Sequence, residues 1–268
     1  MITTLGFALG ALLLVIPIAI AYAYGINVSG KTLLAFFKML MRLGVLGGVM
    51  YYLLQSGSVL FSILFALLLN IYAVVTIVVR ARLKMGLFLL PIGVAVIVAV
   101  AIVGSLLLFA NIAIGSDFCM RYMLPVVALL SGGIITPVAE ALATYYMGLR
   151  HHNHLYYYMI GNGASRAEAL RYLQRRALAK SFVPGLRSMS TLAAGISPVV
   201  MWVMILCGAS VLDAIALQIL IVLAVFATSV IATTIALWMA RHYVVDGYAM
   251  LRVDELTSRQ ENKEISNE

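Results

Sequence analysis

MGLFLLPIGVAVIVAVAIVGSLLLF, residues 85–109, is apolar from end to end and carries no charge. At about 1.5 Å per helical residue it exceeds the ~30 Å hydrocarbon core of a bilayer. It reads as a transmembrane helix. Arg80, Arg82 and Lys84 stand immediately before it, as cations do at a membrane exit.

The rest of the chain follows suit. Hydrophobic residues make up 64% of its 268 positions and charged residues 10%, with a mean hydropathy of +1.07. A soluble domain averages about 45–50% apolar and about 25% charged. So few charges cannot cover a globule, which excludes an ordinary soluble protein. Disorder is excluded by the same apolar excess, and a disulfide scaffold by a count of two cysteines. The remaining class is an all-α polytopic membrane protein.

Seven spans are expected: Thr3–Tyr24, Leu43–Leu54, Val59–Val79, Met85–Phe109, Met123–Met147, Met189–Cys207 and Ala214–Ala240. The first lacks a basic n-region and reads poorly as a cleaved signal peptide. The second is short. It is preceded by KTLLAFFKMLMR, residues 31–42, whose Leu33, Leu34, Phe37 and Met41 oppose Lys31, Lys38 and Arg42. That pattern predicts an interfacial amphipathic helix, part of which must enter the bilayer.

Lys and Arg set the orientation. They follow spans one, three and five and fill the C-terminal tail; only Arg121 falls on the other side. The basic side is cytoplasmic by this rule, with the N-terminus outside and the C-terminus inside. The net charge of +8 is therefore an orientation signal and not a nucleic-acid surface. Residues 1–268 read as one transmembrane domain, with a cytoplasmic loop at 148–188 and a polar tail at 241–268. Cys119 and Cys207 are expected near the outer face as unpaired thiols.

The 148–188 loop reads as two helical pieces broken at Gly161-Asn162-Gly163. The second piece opens with Ser165-Arg166-Ala167-Glu168, a capping box in which serine and glutamate satisfy each other's free backbone N–H. Its helix is expected to stop near Pro184-Gly185. Leu170, Leu173, Ala177 and Leu178 line one face; Arg171, Arg175, Arg176 and Lys180 line another. Two readings fit: a helix snorkelling its cations to lipid phosphate, and a docking helix for a cytoplasmic partner.

The stretch IGNGASRAEALRYLQRRALAKSFVPGL resembles the cytoplasmic loop of ABC-transporter permeases. There a G-A-S/T turn precedes a basic helix and a proline. The chain from Lys31 to Tyr243 is similar to the FetB-type permease family, which includes bacterial iron-export permeases and plant aluminium-tolerance half-permeases. Arg42, Arg80, Arg82, Pro125, Gly163-Ala164-Ser165, Pro198 and Gln218-Ile219 carry the likeness. The family's two sixth-span glycines stand here as Val199 and Val203. The resemblance implies that Gly163, Ala164, Ser165, Arg166 and Glu168, with Arg171 a turn later, meet an ATPase subunit. It implies a homodimer in the inner or plasma membrane, with ATP and Mg held by the partner and no cofactor on this chain.

Glu140 is the only acid inside an expected span, and an ionisable group there marks a functional site by default. The competing reading places it near the cytoplasmic end, hydrated or paired with Arg150. Asn70, Pro198, Met201 and Gln218 complete a candidate substrate pathway. Interhelical hydrogen bonding is the plainer role for the amides, and packing for the methionine. His151 and His154 lie three apart and form a weak metal candidate; an interfacial belt with Tyr156–Tyr158 is the alternative.

No G-x-x-x-x-G-K-S/T, H-E-x-x-H or G-x-S-x-G occurs, so an enzymatic role is not expected. The resemblance implies, as the expected function, export of a metal ion or of a small or apolar solute by a permease that a separate ATPase subunit drives. The alternatives are an ABC-coupled component that acts on an extracytoplasmic partner, and a passive channel.

Overall fold

The computed structural model describes residues 13, 15–25, 29–56, 58–111 and 116–244. Every named element among them is an α-helix. The chain divides into two compact units, Met1–Ser58 and Val59–Glu268.

The first unit holds α1 (Val15–Ala23) and α2 (Ser29–Ser56), which touch each other. The start of the first expected span lies outside the described residues. The amphipathic lead-in and the short second span are not two pieces but one 28-residue helix. No proline interrupts it, and backbone left unpaired in hydrocarbon is costly. Continuity also supplies the length that Leu43–Leu54 lacks.

The second unit runs α3 (Val59–Arg80), α4 (Met85–Asn111), α5 (Ser116–Gly133), α6 (Ile135–His151), α7 (Asn153–Gly161), α8 (Arg166–Thr191), α9 (Val199–Leu206) and α10 (Val211–Val244). Helix α10 is its axis, packed against α4, α5, α6, α8 and α9. Small residues permit the close approach: Ala95, Ala99, Ala232 and Ala236 are fully buried. Among the described residues five helical segments are long and apolar enough to cross a membrane: Thr32–Leu53, Leu60–Arg80, Met85–Phe109, Met123–His151 and Val211–Arg241.

Two expected spans take a different form. The fifth bends at Ile134, between α5 and α6. Pro137 has no N–H to offer the Gly133 carbonyl, although Ile134 and Val138 keep their own bonds on either side (3.2 and 3.1 Å). The sixth is not one helix over Met189–Cys207. Helix α8 passes through Pro184-Gly185 and continues to Thr191, residues 192–198 are irregular, and only Val199–Leu206 is helical beyond them.

Tertiary contacts explain why α8 does not stop. One turn before Pro184, the Ser181 hydroxyl lies 2.9 Å from Thr233 Oγ1 and 3.3 Å from the Ser229 carbonyl of α10. Gly185 lies directly against the Phe226 ring, and Phe182 meets that ring edge-on at 5.4 Å. The helix is clasped on both sides of its proline. The expected 148–188 loop is therefore mostly helix continuous with its flanks.

Candidate functional site

The helix pair α6–α8 carries the tip that the capping box predicted. Its two helices run antiparallel, with Ala169, Leu170, Leu173 and Ala177 of α8 buried in the core that holds Tyr145 and Leu149 of α6. Gly148 makes the approach possible: a methyl group there would sit 3.0 Å from Leu173 Cδ2. The pair is thus a packed lever and not a floppy loop.

At its end the chain turns through Gly161–Ser165. Helix α7 closes with Gly163 N–H bonded to the Ile160 carbonyl (3.0 Å) and Ala164 N–H to Met159 (3.0 Å). This closure needs a left-handed residue, and Gly163 supplies it at φ +87°. Ser165 then caps α8. Its hydroxyl and backbone N–H donate to Glu168 Oε2 at 2.7 and 2.9 Å, and the Glu168 N–H donates back to Ser165 Oγ at 3.3 Å. Those serine bonds hold the Glu168 carboxyl below the usual carboxylate range. Gly163, Ser165, Arg166, Glu168 and Arg171 are exposed, and Ala164 is half-buried. The tip offers fixed backbone and cations to whatever meets it.

The pathway candidates separate. Asn70 is buried; its amide donates to the Ala66 carbonyl (2.9 Å) and its oxygen accepts from the Ser131 hydroxyl of α5 (3.2 Å). Gln218 is buried too, and its oxygen accepts from the Met201 N–H (3.2 Å), holding the start of α9, which follows Pro198, to α10. Both amides thus do the interhelical work of the plainer reading.

Glu140 is exposed on α6. Its depth follows from neighbours. Arg80, at the end of α3, donates to Thr136 Oγ1 (3.0 Å), one turn before Glu140. Phe88, at the start of α4, meets the Tyr146 ring edge-on at 5.0 Å. The basic α3–α4 turn is therefore level with residues 136–146. Ser131 is level with Asn70, the middle of the Leu60–Arg80 segment. Nine residues further, Glu140 lies about 13 Å from that middle, close to the ~15 Å half-thickness of the hydrocarbon. It sits at the basic end of the bundle rather than deep in it.

The histidine reading changes as well. Helix α6 ends at His151 and α7 starts at Asn153, so His151 and His154 do not share a helical face. His151 Nδ1 lies 2.9 Å from the Met147 carbonyl. Among the described residues no group of three His, Cys, Asp or Glu side chains is placed to hold a metal. Cys207 is a free, exposed thiol, and the side chain of Cys119 lies outside the described residues.

Sequence reasoning missed the Ser181–Thr233 clasp, because lone hydroxyls in apolar helices give no signal until a register pairs them. It also missed the depth of Arg187, which stands on α8 beyond Gly185 and not in a loop.

The sequence of this chain matches, over residues 4–244, the uncharacterised protein family UPF0014. The chain belongs to that family. The Arabidopsis thaliana protein ALUMINUM SENSITIVE 3 is 28% identical over 217 residues, which cover 79% of this chain and 77% of the relative. No solved structure matches. The apolar helices and the family together make the chain a multi-pass membrane protein of the transporter-permease kind.

Proposed function

We propose that the chain is a FetB-type permease subunit of an ABC transporter, driven by a separate ATPase subunit that carries ATP and Mg. The observation that carries this is the tip at 161–168. It is exposed, doubly capped, and mounted on the packed α6–α8 lever beyond the basic turn. Force applied there passes along α8 to the Ser181 clasp and into α10. Alternating access requires packed elements that take two arrangements, and this run of contacts is the path we assign to that movement.

Two copies of the chain form the working permease in the inner or plasma membrane. Seven crossings are counted when Thr3–Tyr24 and the α8–α9 pair are added to the five long apolar segments, one of which bends at Ile134. The basic tip and the C-terminal tail face the cytoplasm, and transport runs outward. The cargo is a metal ion or a small solute.

The test is purification of the tagged full-length chain from its native membrane. An ATP-hydrolysing subunit is expected to copurify. Ser165→Arg should release it while the permease keeps its size and loses no more stability than a helix cap contributes, about 1 kcal/mol. A permease that brings no ATPase, or a Ser165→Arg variant that stays fully coupled, overturns the reading.

A further inference from the structure

Arg187 lies near the mid-depth of the bundle. Gly185 of α8 packs on Phe226, and Phe226 is the midpoint of the Val211–Arg241 segment of α10. A second gauge agrees. Ser131 is bonded to Asn70, the midpoint of Leu60–Arg80, and Gly133, two residues on, abuts Val225. Arg187 follows Gly185 by two residues, about 3 Å along the axis. Its side chain is exposed, and no partner reaches the guanidinium among the described residues.

The backbone beside it is irregular. Helix α8 ends at Thr191, about 9 Å past Gly185. Met201 at the start of α9 bonds Gln218, eight residues or about 12 Å from Phe226. Residues 192–198 therefore lie within the ~15 Å half-thickness of the hydrocarbon. Residues 193–197 are exposed, and Ala193 is held at φ +66°. The turn bonds its own N–H groups, those of Ala194, Gly195 and Ile196 to the Thr191 carbonyl (3.2, 2.7 and 2.8 Å) and that of Ala193 to Ile196 (2.9 Å); its other carbonyls are tolerated at this depth only within protein or against a water-filled cavity. An arginine near the midplane is held to the same condition.

We propose that Arg187, near the middle of the membrane, and the 192–198 turn about 9–12 Å from that level together line a hydrated, anion-binding position on the transport path. The position rests on the permease reading for its purpose and narrows the cargo. A bare cation is repelled by a midplane guanidinium, whereas a solute bearing a carboxylate, phosphate or sulfonate is held. A metal cargo would pass there as an anionic complex. The Ser190 hydroxyl, one turn from Arg187 and exposed, lies on the same side of α8.

Thiol labelling of the full-length chain in membrane vesicles tests this without any ATPase. Cys119→Ser and Cys207→Ser give a background free of native thiols, into which Ser190→Cys is introduced. The probes are 2-sulfonatoethyl and 2-trimethylammonioethyl methanethiosulfonate, both water-borne. Both should react. The sulfonate should react about tenfold faster than the cation, after correction for their rates with a free thiol. Arg187→Gln should abolish that preference and Arg187→Lys should keep it. Ala194→Cys, in the neighbouring turn, repeats the measurement should Ser190→Cys fail to fold. A thiol that neither probe reaches overturns the proposal, as does a preference unchanged by Arg187→Gln. If the preference appears but no ATPase subunit copurifies, the permease reading fails and the anion site stands.

Discussion

Ser165 and Glu168 show how much two residues decide. Their reciprocal bonds were legible in the sequence because a capping box needs only a four-residue spacing. Glu168 is held below its ordinary pKa by the Ser165 hydroxyl and N–H. A carboxyl depressed on folding stabilises the fold above its unfolded pKa, and that contribution is lost as pH falls through the folded one. Hydrogen exchange at the amides of 165–170 should therefore rise on acidification, beyond the intrinsic pH effect, and Glu168→Gln should flatten that response. Ser165→Ala should loosen the same amides by about 1 kcal/mol. Glu140 was read from hydropathy as an acid inside a span. Arg80 and Phe88 set its level at the basic end. Glu140→Gln should then change thermal stability in liposomes by no more than about 0.5 kcal/mol; a larger loss would mean a buried partner.

Helix α8 is the element whose reading changed most. Pro184-Gly185 is a local stop signal, and judged locally it ends a helix. In the fold Gly185 receives the Phe226 ring, and Ser181 bonds across to α10, so the helix carries on to Thr191. Gly185→Val should displace that ring and cost about 1–3 kcal/mol, read as a lower melting temperature of the purified protein. The lever half of α8 depends on Leu173, which is 3% exposed and packs on Gly148. Leu173→Ala should cost about 2–5 kcal/mol. If the lever transmits ATPase work, the same change should weaken coupling before it weakens ATPase binding at the tip.

At the scale of the molecule, charge placement carries the orientation. Under the proposed arrangement a C-terminal tag is protected from protease in intact cells and cut once the membrane is permeabilised. Cleavage in intact cells would invert the topology and put the tip on the wrong side for an ATPase. The span count depends on α8 and α9, which cross only as a broken pair; their break gives Arg187 its setting.

Sequence alone determined the membrane class, the helical fold and the capped tip. Apolar length sets the first two, and a few neighbouring residues set the third, so no distant contact is needed. The tertiary structure decided where the fifth span bends, that α8 passes its proline, that the histidines diverge, and how deep Glu140 and Arg187 lie. Depth is a register between helices far apart in the chain. It is fixed by pairs such as Ser131 with Asn70 and Gly185 with Phe226, which no single stretch contains.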